Sequence, residues 1–211
     1  MTNPVSPALV LQSLNLANVV TAPLDELRSG LRQLITQLAY QEGNFTLSSG
    51  QSSSYYINGK KVTLTAEGGL MLGRLILALL PADTQAVAGL TLGADPLVSA
   101  VSIVSAYEQQ PIPALIVRKE AKGHGTKAYI EGPDLATGAK VVVLEDVVTT
   151  GKSALLAVER LRGAGYVVEE ILAMVDREQG GAEFYQGQGL RFQALFKISD
   201  IQEQARQNQS F

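Results

Sequence analysis

Val141-Val-Val-Leu-Glu-Asp-Val-Val-Thr-Thr-Gly-Lys-Ser153 changes character several times within a few residues. Val141 to Leu144 are all apolar and mostly β-branched, which predicts a strand buried on both faces of a parallel sheet. Two carboxylates, Glu145 and Asp146, stand at its carboxyl end. Thr149, Thr150, Gly151, Lys152 and Ser153 follow as a small, hydroxyl-rich turn. Ala154, Leu155, Val158 and Leu161 then fall at helical spacing, stopped by Gly163 and Gly165. In open α/β sheets, ligands sit beyond the carboxyl ends of the strands. A turn of small residues entering a helix presents free N–H groups and a positive dipole end to a phosphate. Acids beside such a cradle suit a ligand with hydroxyls at one end and phosphate at the other, as in a ribose 5-phosphate. The ending Gly151-Lys152-Ser153 is not a P-loop, because Asp146 stands where that pattern needs its first glycine. A buried strand with an inert acidic cap explains the acids alone, but not the acids and the cradle together.

Composition narrows the rest. The chain has 211 residues, 46% of them hydrophobic and 18% charged, an ordinary globular balance for one domain. A net charge of −3 gives no footprint for nucleic acid. Without cysteine there are no disulfides or thiolate metal sites, which fits the cytoplasm. A single histidine leaves only a hard metal, held by oxygens and by the substrate. The first basic residue is Arg28, so no secretory leader is expected. The most apolar window, Leu70 to Leu80, is short and carries Arg74, so no membrane span is expected either.

Outward from the central run, strands and helices alternate, which predicts a parallel α/β sheet. Val10, Leu11, Leu14 and Leu16 suit a short helix or a loose arm. Leu24 to Leu38 repeat at helical spacing after Pro23, and this helix ends before Gly43. Phe45 to Lys61 reads as two short strands around Gly50. Thr65 caps a helix from Ala66 to Leu80, with glycines 68, 69 and 73 at close packing contacts. Val87 to Leu92 is a strand, and Asp95-Pro96 reads as cap and first position of the next helix. Pro113 to Val117 is another strand. It leads to the basic, glycine-containing run Arg118 to Lys127, which suits a solvated loop or a mobile lid over a charged ligand. Tyr129 to Glu131 returns as a short strand. Glu169 to Val175 and Phe192 to Ile198 complete the sheet, and Asp200 opens a last polar helix.

The central run resembles the phosphoribosyl pyrophosphate signature of type I phosphoribosyltransferases. Three further stretches resemble the orotate-specific members of that family. Phe45-Thr-Leu, Ser49-Gly50, Ser53 and Tyr55 to Lys60 are similar to the hood that lines the pyrimidine pocket. Arg118-Lys-Glu-Ala-Lys122 with His124-Gly125 is similar to the catalytic loop, which in that family crosses a dimer interface. Asp176-Arg-Glu-Gln-Gly-Gly181 is similar to the run whose arginine meets orotate. The chain departs from the family pattern at Ser48, Ser54 and Asn58, where lysine, proline and aspartate are frequent.

The resemblance implies a central, mostly parallel five-stranded sheet flanked by helices. It also implies a hood over about residues 1–65, a core over about 66–200 and a terminal helix to 211. It implies transfer of phosphoribose from phosphoribosyl pyrophosphate to orotate, releasing pyrophosphate, with Mg²⁺ as cofactor and a homodimer whose lid acts in trans. Glu145 and Asp146 are expected on the ribose hydroxyls. Thr149, Thr150, Gly151, Lys152 and Ser153 are expected on the 5′-phosphate, Lys119, Lys122 and His124 on the departing pyrophosphate, and Arg118, Val147 and Val148 elsewhere on phosphoribosyl pyrophosphate. Thr149, Arg177, Tyr56 and Ile57 are expected on orotate, with no direct protein ligand assigned to the metal. A phosphoribosyltransferase for another base, or a nucleotide-sensing regulator on the same fold, are the alternatives. The lysine-bearing loop and the negative net charge count against the regulator.

Overall fold

The computed structural model describes residue 12 and residues 18–46, 52–121 and 129–209. The readings at Val10, Leu11, Leu14 and Leu16, at Ser48 to Gly50, and at Lys122, His124 and Gly125 lie outside these residues.

Helix α1 (Leu24–Leu34) follows Pro23 and buries Leu27, Leu31 and Leu34. It runs into a wider π turn over Ile35–Ala39. At Tyr40 the backbone becomes extended and strand β1 (Tyr40–Thr46) begins. The helical turns end before Gly43, as the spacing predicts, because Tyr40 pairs with Ile57 and its ring is buried in the core. Strand β2 (Ser52–Ile57) completes an antiparallel hairpin that forms a sheet of its own.

A one-turn helix α2 (Lys60–Thr63) follows, too short to announce itself by periodicity. Helix α3 (Ala66–Leu77) is capped by Thr65, whose hydroxyl oxygen accepts from the Gly68 N–H at 3.0 Å. It packs on α4 (Asp95–Tyr107) at Gly73, where an added Cβ would lie 2.7 Å from Val104 Cγ2 and 2.8 Å from the Ala100 carbonyl oxygen. The sequence reading made Asp95 the cap of α4. Instead Ala94 occupies the cap and Asp95 is the first helical residue. The Thr91 hydroxyl donates to the Asp95 carboxylate at 2.8 Å, which ties the preceding turn to the helix start.

The main sheet has the order β5-β4-β3-β6-β7-β8. Its strands are β3 (Ala86–Leu90), β4 (Ala114–Val117), β5 (Ile130–Glu131), β6 (Val141–Val148), β7 (Glu170–Asp176) and β8 (Arg191–Lys197). The five longer strands are parallel, and β5 adds a short antiparallel edge beside β4. Successive residues of β6 feed opposite layers. Val142 and Leu144 join the core that holds α1, α3, α4 and α7 (Ile198–Gln209), whereas Val141 and Val143 join the one under α5 (Lys152–Gly163) and α6 (Gly181–Gly187). Covering both faces is what makes the uninterrupted apolar run of β6 favourable. From β3 the chain moves outward to β4 and then returns to β6 on the other side of β3. The junction of β3 and β6 is therefore the topological switch point, where ligands of such sheets bind.

Candidate active site

Asp146 stands at this junction. Its carboxylate occupies a slot made by two missing side chains. A Cβ on Gly93, just beyond β3, would lie 2.6 Å from Asp146 Oδ1, and one on Gly59 would lie 3.2 Å from Oδ2. The Val147 N–H donates to Oδ1 at 2.9 Å. Glu145 lines the pocket under the turn that follows β6. It is 7% exposed, and among the described residues its Oε2 has no hydrogen-bond partner. Burial, with the neighbouring Asp146 charge added, pushes the Glu145 carboxyl up to about 8, against a smaller opposing pull from Lys119. The two carboxylates thus differ: Asp146 is half-buried and accepts from a neighbouring N–H, whereas Glu145 is buried in surroundings that favour its protonated form.

Beyond β6 the chain turns through Gly151, whose φ of 83° is left-handed and whose position caps α5. Glu145, Val147 to Ala154 and Tyr185 line a pocket of about 70 Å³ there. A single water needs roughly 10–15 Å³ of such space, so the pocket admits a group of several heavy atoms. Its lining includes Thr149, Thr150 and Ser153 with the start of α5, a donor set suited to a phosphate. Tyr185, on α6, is fully buried under the turn and its hydroxyl lacks a partner among the described residues. Burial, reinforced by Glu145 and Asp176, holds its phenol far above the ordinary range.

The adjacent strand end carries Arg177, which is 6% exposed. Its backbone N–H donates to the Val148 carbonyl at 2.9 Å, fixing it against the end of β6. Its side chain reaches the hairpin, where Nε donates to the Tyr55 hydroxyl at 3.1 Å. Of the expected hairpin residues, Ile57 is buried in the core. Tyr56 lies on the opposite face, 42% exposed, with its ring centroid 5.5 Å from that of Phe45. Side-chain alternation along β2 therefore brings Tyr55, not Tyr56, to Arg177.

The basic run keeps only its stem in view. The Arg118 N–H donates to the Tyr129 carbonyl at 2.7 Å, and its guanidinium pairs with Glu131 at 3.0 Å. Lys119 is exposed, and its charge reaches Glu145. Arg160, from α5, binds both sides of the stem. Its Nη2 donates to the Lys119 carbonyl at 2.8 Å, and its guanidinium lies 4.0 Å from the Tyr129 ring centroid. The structure thus brings Glu145, Asp146 and the 147–153 turn together beside Arg177, whereas Arg118 is engaged with the stem. Sequence reasoning gave no role to Arg160 or Tyr185 and placed Tyr55 and Gly59 only within the hood-like stretch. Each acts through a long-range contact, and none sits in a spacing that would single it out.

A parallel sheet with paired carboxylates and an anion-binding turn at its switch point defines a type I phosphoribosyltransferase. No family model matches the chain. The chain is 70% identical over 183 residues to the orotate phosphoribosyltransferase of Nostoc sp., covering 87% of this chain and 89% of that protein. It is 38% identical to the crystal structure of Mycobacterium tuberculosis orotate phosphoribosyltransferase in complex with Fe(III) dicitrate, with a TM-score of 0.74 over 83% of this chain and 98% of that one. The same protein in complex with 5-phospho-alpha-D-ribosyl 1-diphosphate matches with 36% identity and a TM-score of 0.70 over the same shares. The chain belongs to the orotate phosphoribosyltransferase family. Among the described residues, no helix is long and apolar enough to cross a membrane.

Proposed function

We propose that the chain transfers the phosphoribosyl group of phosphoribosyl pyrophosphate to orotate, giving orotidine 5′-monophosphate and pyrophosphate in the making of pyrimidine nucleotides. The observation that carries this reading is the meeting of Asp146, the Gly151 turn and the buried Arg177 at two adjacent strand ends. They supply a hydroxyl acceptor, a phosphate cradle and a cation for the carboxylate of the base. In this reading the C1–O bond to pyrophosphate breaks as the base nitrogen bonds to C1, and positive charge builds on the ribose. Asp146, with Glu145 once ionised, accepts from the ribose 2′ and 3′ hydroxyls and lies beside that charge. Val147 to Ser153 hold the 5′-phosphate. Thr149 and Arg177 receive orotate, and Arg177 meets the carboxylate of the base. Lys119, Lys122 and His124, with Arg118, neutralise the departing pyrophosphate, and closure of the loop keeps water from the ribosyl cation.

Mg²⁺ fits this site in one way only. Among the described residues, no three His, Cys, Asp or Glu side chains gather as a metal cage. The half-buried Asp146 carboxylate suits a hard ion that keeps its waters and takes substrate oxygens. Held there with the pyrophosphate, it would supply charge neutralisation for the leaving group. The enzyme is proposed to be cytoplasmic and to act as a homodimer with the basic loop working in trans.

The test is the fall in orotate absorbance with phosphoribosyl pyrophosphate and Mg²⁺, with adenine, hypoxanthine and uracil run by product assay. Orotate alone should be consumed. Turnover of another base instead would remove the pyrimidine assignment, and no turnover with the pyrophosphate donor still bound would favour a sensing role.

Glu145 supplies a pH signature. Its carboxyl is raised in the folded chain, so the folded state binds the extra proton between the ordinary carboxylate range and about 8. Stability from this proton is present at low pH and is lost as pH rises through that window. Relative to Glu145→Gln, the parent should lose thermal stability from about pH 5 to about pH 8 and level off above. The parent kcat/KM for the donor should rise on a limb near the same upper value, because kcat/KM reports groups of the free enzyme. Parallel Tm profiles for the two proteins would show that Glu145 is not held protonated.

A further inference from the structure

Arg177 is a buried cation whose side-chain hydrogen-bond partners carry no charge. Its Nε donates to the Tyr55 hydroxyl at 3.1 Å and its Nη2 to Ser53 Oγ at 3.3 Å. Its Cζ lies 4.7 Å from the centroid of the Tyr55 ring. Both partners are themselves fixed. Ser53 Oγ donates to the Tyr55 carbonyl at 2.7 Å, which locks its direction toward Arg177. Tyr55 is 8% exposed and its ring centroid sits 5.9 Å from that of Tyr40. Neutral hydroxyls orient a guanidinium but do not neutralise it, and buried charges are ordinarily paired. The hairpin therefore grips the Nε–Nη2 edge of the fork and leaves the charge itself to be met by something else. Planar, bidentate recognition of a carboxylate is what such a pre-set fork does best.

We propose that Tyr55 and Ser53 are positioning residues for base recognition. Through the Nε–Nη2 edge they hold the Arg177 guanidinium in the orientation that meets the carboxylate of the base, and so they set the preference for a base with a carboxylate over one without. This deepens, and rests on, the reading of Arg177 as the group that binds the carboxylate of orotate. The hairpin thus fixes the charge at the end of the adjacent strand.

The variants are Tyr55→Phe, which keeps the ring and its packing, and Ser53→Ala. Each should raise the KM for orotate about ten-fold, the size expected from losing one hydrogen bond to a charged group. The KM for phosphoribosyl pyrophosphate should stay within about two-fold and Tm within a few degrees, since neither hydroxyl faces the ribose-phosphate site. The preference for orotate over uracil in competition should fall by a factor similar to the rise in the orotate KM. An equal rise in both KM values, or a fall in Tm with no change in preference, would reduce the contacts to hairpin stability and overturn the proposal. Arg177→Ala separates the two levels of the argument. If it uses orotate as the parent does, the reading of Arg177 fails and this proposal with it. If it loses orotate while Tyr55→Phe and Ser53→Ala keep it, only the positioning role fails.

Discussion

Alanine at Gly151 is expected to raise the KM for phosphoribosyl pyrophosphate by about 10²-fold and to lower Tm by several degrees. Two costs act at the same atom. Gly151 has φ of 83°, and a side chain in the left-handed region costs roughly 1–2 kcal/mol. A Cβ there would also lie 2.8 Å from Tyr185 Cε1 and 2.9 Å from Phe184 Cδ1. Tyr185 is fully buried and cannot swing away, so overpacking adds about 1–3 kcal/mol. The turn must move outward to escape, and moving it disperses the N–H groups that cradle the 5′-phosphate. At about 1.4 kcal/mol per decade, even the lower half of the summed range gives the loss stated. For a chain of this length each kcal/mol shifts Tm by about 2–4 °C. The KM for orotate should move far less, because Arg177 and the hairpin do not touch Gly151. Steady-state kinetics with each substrate varied in turn checks this. A donor KM within about five-fold of the parent would mean that the turn does not hold the phosphate.

The course of the sheet was open to reading because burial on both faces leaves a plain mark. Val141 to Leu144, and the Val- and Ile-containing runs of the neighbouring strands, are apolar without alternation, and parallel sheets covered by helices demand that. The Thr65 cap and the tight α3–α4 crossing at Gly73 were legible for a related reason, since each depends on residues whose chemistry serves few other ends. Boundaries were less legible. The leucine repeat of α1 runs out at Leu38 and so marks the end of the helix, whereas the pairing of Tyr40 with Ile57 that fixes it lies far along the chain. Asp95 looks like a cap in any local reading, yet the Thr91 hydroxyl draws its carboxylate into the turn.

The site divides along the same line. Glu145, Asp146 and the 147–153 turn are contiguous, so their chemistry shows in a single run. The parts that tune them are distant in the chain. Gly59 and Gly93 come from separate loops and matter only because Asp146 needs the volume they leave. Tyr55 differs from Tyr56 only by its place in the alternation of β2, which depends on a register no local pattern fixes. Arg160 looks like any basic residue on a helix until Lys119 and Tyr129 are seen on either side of it. Local sequence thus carried the groups proposed to meet the ligand, and tertiary structure supplied those that hold them in place.

Asp146→Asn should lower kcat/KM with phosphoribosyl pyrophosphate by about 10²–10³, the range for removing one preorganised electrostatic group. Asparagine matches aspartate in volume, so it fits the slot between Gly59 and Gly93, and its amide oxygen can still accept from the Val147 N–H. Fold and strand end should therefore survive, with Tm within a few degrees of the parent. What is lost is specific to the reaction. The amide brings one acceptor oxygen where the carboxylate has two, so one of the ribose hydroxyls meets an N–H donor instead. Its neutral head also no longer stabilises the positive charge that grows on the ribose as the bond to pyrophosphate breaks. That charge is greatest in the transition state, so kcat should fall more than the donor KM rises. Glu145→Gln should be milder, because burial pushes the Glu145 carboxyl up to about 8 and so favours its neutral form. The two variants therefore rank the carboxylates. Equal losses from both would mean that they act as one charged unit, and a loss confined to Glu145→Gln would reverse their roles.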